Sequence, residues 1–218
     1  MKWKLTDRRI KMRKPILLNL AILVMLTGCS NEKKPNAANF TNAINQYLAK
    51  HGQECTFFAQ TFPIDVPASE LKAQSGTAPQ MAALERAGLV RGSDTTAVIH
   101  GMMGALGPSA PRAVRRYELT DMGKKYFQMK PGVLGQSSAF CYGQEQVDSI
   151  VKWDEPTAQG GASSTEVTYT YKFQQLADWA KQPDVEQVFP AIKSTLDQVG
   201  SNQVVELHRT NKGWEAGS

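Results

Sequence analysis

Few side chains in this chain are able to do chemistry, and they are scattered. His51, His100 and His208 are too far apart for the short spacings that place metal ligands on one face. Each reads as a surface or packing histidine, so no metal or other cofactor is expected. Gly135-Gln136-Ser137-Ser138-Ala139 only faintly suggests a serine nucleophile turn. It lacks the strand before and the helix after, and Ser137 reads as a loop serine. Asp148, Asp154, Glu155 and Glu166 could gather beside a sheet, yet acids near loops are ordinarily just solvated. No phosphate-cradling glycine loop, dinucleotide fingerprint or internal repeat is present. Three cysteines remain, Cys29, Cys55 and Cys141, and their chemistry depends on where the chain resides.

The first thirty residues address that question. Lys2, Lys4, Arg8, Arg9, Lys11, Arg13 and Lys14 stand against one acid, Asp7, and an apolar run from Ile16 to Leu26 follows, interrupted only by Asn19. Eleven helical residues rise about 16 Å against a hydrocarbon core of about 30 Å, too short for a span. The run lacks the polar face of a core helix and matches the apolar region of a secretory signal. Leu26-Thr27-Gly28-Cys29 then resembles the lipobox of bacterial lipoprotein precursors. That resemblance implies a diacylglycerol on the Cys29 thiol, cleavage before it, and a third acyl chain on the freed amine. Two or more chains anchor stably where one does not. Met12 is read as the true start, because Met12-Arg13-Lys14 opens a signal of ordinary length. Ser30, where an Asp would favour inner-membrane retention, implies export to the outer membrane, facing the periplasm.

Removing residues 1–28 changes the electrostatics. The formal charge of +5 belongs to the whole chain, but the signal carries seven of its 25 Lys and Arg and one of its 20 Asp and Glu. The remainder holds 18 basic against 19 acidic residues, so the basic pI is no argument for nucleic-acid binding. In an oxidising periplasm the remaining pair, Cys55 and Cys141, reads as a disulfide, with two separately buried thiols as the alternative.

The rest of the chain must position whatever site exists. Asn31 to Ala38 is a polar tether. Phe40, Ile44, Tyr47 and Leu48 are spaced for one amphipathic helix, stopped by Gly52. Cys55 to Phe58 reads as extended. Ser69 to Leu71 and Ala78 to Ala87 read as helices, the latter with Pro79 in its first turn. Arg115 to Leu119 reads as a strand, followed by a helix capped by Thr120. The pattern "ALERAGLV … RRYELTDMGKKYF" is similar to winged-helix proteins over about residues 69–127. The resemblance implies a helical core closed by Leu89 and Val90, a wing strand, and tight packing at Gly123. A DNA-binding role does not travel with it, given the neutral charge and the periplasmic address. Gly101 to Pro111, with Met102, Met103 and Leu106, reads as a wing loop.

Beyond Lys130-Pro131-Gly132 the pattern changes. Phe140 to Trp153 and the alternating Glu166 to Phe173 read as a hairpin, and Gln203 to His208 as a third strand, with Trp214 returning against the sheet. Val185 to Val199 reads as a helix split near Pro190. Trp153, Trp179 and Trp214 read as sheet core. The expected fold is therefore α+β: a signal peptide at 1–28, a lipid-anchored tether at 29–38, a mostly helical winged-helix-like module at 39–131, and a small antiparallel sheet crossed by a helix at 132–218. The expected function is non-catalytic. The membrane is a partner through the N-terminal acyl chains, and the other partner is an unidentified envelope protein or, for an immunity lipoprotein, a toxin.

Overall fold

A computed structural model describes residues 31–58, 60–99, 110–132, 135–159 and 162–217. Cys29 and the lipobox-like residues before it, Met12, His100, and Met102, Met103 and Leu106 lie outside the described residues.

The first helix, α1 (Ala37–His51), forms where the spacing predicts it. The Asn36 side chain accepts the Asn39 N–H at 2.9 Å as its N-cap. Phe40, Ala43, Ile44 and Leu48 make its buried stripe. Gly52 ends it, donating its N–H to the Leu48 carbonyl at 2.7 Å. A Cβ there would lie 2.9 Å from that same oxygen, so the stop needs glycine.

Two antiparallel sheets follow. The larger has seven strands and curls around α1: β1 (Gln53–Phe58), β5 (Phe127–Gly132), β6 (Gly135–Trp153), β7 (Thr157–Gln159), β8 (Ala162–Gln174), β9 (Asn202–Thr210) and β10 (Gly213–Ala216). Its main path runs β1-β6-β8-β9-β10, with β5 against β6 and β7 against β8. The smaller has order β2-β4-β3, from β2 (Ile64–Pro67), β3 (Val90–Ala97) and β4 (Arg112–Leu119). The other helices are short: α2 (Thr77–Arg86), α3 (Asp121–Tyr126), α4 (Pro183–Val188) and α5 (Pro190–Asp197).

This corrects the expected fold class. The described chain is mainly antiparallel sheet, and residues 39–131 are not a mostly helical winged-helix-like module. The reasons are local. β3 (VRGSDTTA) has no apolar alternation, because most of its side chains are exposed, so it reads as loop. β5 (FQMKPG) carries Pro131, which reads as a break but is tolerated where a strand pairs along one edge only. Sheet pairing also crosses position 132, since β1 and β5 both pair with β6. Glu32 to Ser218 cluster as one compact unit.

Two apolar cores result. One lies under α1, where Phe40, Ile44 and Leu48 meet Val147, Val167, Tyr169, Tyr171, Leu207 and Trp214. The other joins α2 and the small sheet to β1, β6, α4 and α5 around Phe140, whose ring stacks edge-on with Phe58, Phe127 and Trp179. The split at Pro190 is present: Phe189 separates α4 from α5.

At the α2–β3 corner, the Thr120 hydroxyl donates to the Gly88 carbonyl at 2.7 Å and accepts the Gly123 N–H at 2.9 Å. A Cβ on Gly123 would fall 1.9 Å from the Leu89 carbonyl oxygen. Backbone faces backbone there, so no side chain can yield. Gly123→Ala is expected to cost about 1–3 kcal/mol, read as a lower urea midpoint at unchanged slope.

Candidate functional site

The 19-residue strand β6 changes partners along its length. On one edge β1 runs beside it, with Cys55 opposite Cys141 and Glu54 opposite Gly143. Tyr142 is thus skipped by the register, a bulge. On the other edge, β5 pairs up to Phe140 and β8 begins only at Gln144. For three residues, Cys141, Tyr142 and Gly143, that edge has no strand beside it among the described residues.

A cleft of about 220 Å³ opens at this gap. It is lined by Gln53, Gln128, Gln144, Gln174 and Gln175, with Tyr126 and Tyr142, and Lys125 is the single charged lining residue. Gln175 has φ +57°, a left-handed conformation that costs a non-glycine residue about 1 kcal/mol or more. That turn redirects the chain after β8 so that the Ala177 N–H reaches the Tyr142 carbonyl at 2.7 Å. Beneath the tyrosines, with rings centred 6.0 and 6.1 Å away, lies Trp179, buried and with no hydrogen-bond partner for its Nε1–H among the described residues.

The disulfide Cys55–Cys141 ties the floor of the cleft to β1. It closes a separation of 86 residues, worth about 4–5 kcal/mol in chain-entropy terms. The pairing expected from sequence is present, and its two residues are brought into register by the sheet.

The sequence reading missed an acid pair beside this junction. Glu54 and Glu145 sit close enough to repel, and both are partly buried. Burial, and then the Glu54 charge, push the Glu145 carboxyl up to about 7. Burial also raises Glu54, opposed by an interaction with the Tyr142 hydroxyl. Three hydrogen bonds hold the C-terminal end of α1 against β6 at this point. The Gln144 side chain donates to the Leu48 carbonyl at 2.6 Å, Glu145 N–H to the Gly52 carbonyl at 2.8 Å, and Val147 N–H to the Asn45 side chain at 2.9 Å. Tyr171, pushed up to about 12 mainly by burial, donates its hydroxyl to the Thr195 carbonyl at 3.1 Å. The one sequence signal for the bulge was Gly143, a glycine inside a strand pattern.

Other candidates stay apart. Ser137 is in strand β6 opposite Lys130, not in a loop. Asp148 pairs with Lys172 at 3.0 Å. His51 stacks on Tyr47, and His208 lies 4.0 Å from Glu206. Among the described residues no group of three or more His, Cys, Asp or Glu is placed to hold a metal ion. Trp179 and Trp214 are core, while Trp153 is 39% exposed with its edge against Phe40. A second cleft of about 360 Å³ runs between α1 and β10, past Gln46, Tyr47, Lys50, His51, Lys212 and Glu215. No protein-family model, curated protein or solved structure matches this chain.

Two outcomes follow from the junction. Replacing Cys55 and Cys141 together by alanine is expected to lower unfolding free energy by about 2–5 kcal/mol in denaturant titration. For Glu145 the sign is set by a raised folded-state pKa. Its contribution is fully present below the unfolded value near 4.5 and is lost as pH climbs through about 7. Stability of the parent chain should therefore fall between those values, whereas Glu145→Gln should show a shallower fall and exceed the parent above pH 7.

Proposed function

We propose that the protein is a lipid-anchored, periplasm-facing envelope protein, held at the outer membrane by acyl chains on Cys29 and acting as a non-catalytic binding or accessory module for a protein partner. The observation that carries the location is the Cys55–Cys141 disulfide. A cross-strand disulfide joining the end strand β1 of the main sheet to β6 is at home in an oxidising compartment. The basic stretch, the short apolar run and the lipobox resemblance at Leu26 to Cys29 point to the same place. Lipid anchoring confines such a module to two dimensions and raises its effective concentration toward other membrane components.

An immunity lipoprotein, neutralising a toxin delivered to the periplasm, shares the address and differs in its partner. Gene deletion separates the two: loss of survival beside toxin-producing neighbours favours immunity, and unchanged survival removes it.

The anchor has its own test. Labelled palmitate should enter the parent protein and not Cys29→Ser, and the variant should move from the membrane to the soluble fraction. Equal membrane fractionation of both would remove the proposed location.

A further inference from the structure

We propose that the gap between β5 and β8 is a binding site for one ring of a neutral saccharide. The lining is unusual in composition. Glutamine is 16 of the 218 residues, so ten lining positions drawn at random would hold fewer than one, and this cleft holds five. The carboxamides of Gln128, Gln174 and Gln175 make no hydrogen bond to another described residue, while Gln144 and Gln53 are partly engaged by Leu48 and Lys130. Each carboxamide both donates and accepts, as a sugar hydroxyl does, without adding charge. Half-buried Tyr126 supplies ring surface for the C–H face of a pyranose, while the Tyr142 ring is packed in the core.

Size and backbone geometry narrow the occupant. A cavity of about 220 Å³ is smaller than the ~300–1,000 Å³ of a drug-sized pocket, so it admits one ring, with the rest of an oligomer outside. A peptide adding itself as a strand would need the open β6 edge, but the Tyr142 carbonyl there is already taken by the Ala177 N–H. An anionic ligand would find only Lys125. Gln175 is held in a left-handed backbone conformation and Tyr142 in a bulge, so two lining residues are positioned by backbone departures from a plain strand.

The assignment stands independently of the anchor, because every residue lining the cleft lies at Gln53 or beyond. Full-length protein in detergent micelles is titrated with maltotetraose, cellotetraose and chitotetraose, and with a capped peptide containing glutamine, by calorimetry and tryptophan fluorescence. At least one neutral oligosaccharide should bind saturably, with equal affinity in about 50 and about 500 mM NaCl. Gln174→Ala and Gln128→Ala should each weaken it about tenfold. Gln187→Ala, on exposed α4 surface outside the cleft, should leave it unchanged. Gln174 is exposed, so its variant should keep the parent's unfolding midpoint. Absence of binding by all three sugars overturns the proposal, as does sugar binding indifferent to Gln174 and Gln128. Peptide binding without sugar binding overturns it too.

Discussion

Strand β6 belongs to both cores at once, and the rest of the fold accommodates that fact. Its first half carries Phe140, the hub of the aromatic cluster shared with Phe58, Phe127 and Trp179. Its second half places Val147 under α1. A strand of 19 residues must satisfy two edges of backbone polar groups. β1 covers part of one edge, and β5 and β8 share the other in succession. Where they fail to meet, Tyr142 bulges, its carbonyl is satisfied by Ala177, and the cleft opens. The disulfide lies at this same point, so this irregular stretch of the strand is also covalently secured.

Charges are distributed in two contrasting ways. In the small sheet they are matched across strands: Arg116 and Asp65 face each other and join at 2.7 Å through two bonds, and Arg115 reaches Glu85 at 2.9 Å. The bidentate Arg116 pair holds the Asp65 carboxyl below its ordinary value. More exposed pairs such as Lys124–Asp121 contribute little. Beside the β6 bulge the pattern reverses: Glu54 and Glu145 are both raised by burial, and Glu145 further by the Glu54 charge. The small sheet pairs its charges across strands, whereas at the junction of α1, β1 and β6 burial and a neighbouring acid raise the Glu145 carboxyl.

These features give the proposed envelope protein two separate chemistries. One is the anchor implied by Cys29, which concerns location alone. The other is the neutral, amide-rich cleft, whose recognition would rest on hydrogen bonds and ring contacts and so be nearly indifferent to salt. Neither depends on the other, since every residue lining the cleft lies at Gln53 or beyond, after the tether.

What could be read along the chain were features set by neighbours in sequence. The stripe of α1 and its Gly52 stop, the Thr120 cap, the alternation of Val167, Tyr169 and Tyr171, and the break at Pro190 all follow from local backbone and periodicity rules. The pairing of Cys55 with Cys141 was legible because only two cysteines follow Cys29. The strand character of β3 and β5 was not, because each is defined by its partner and carries polar residues or a proline that alone read as loop. Nor were the Glu54–Glu145 conflict and the glutamine cleft. Gln128 and Gln174 are 46 positions apart and meet only because two different strands share one edge of β6. Local propensity acts over a few residues, whereas that meeting is decided by long-range register, which exists only once the sheet has formed.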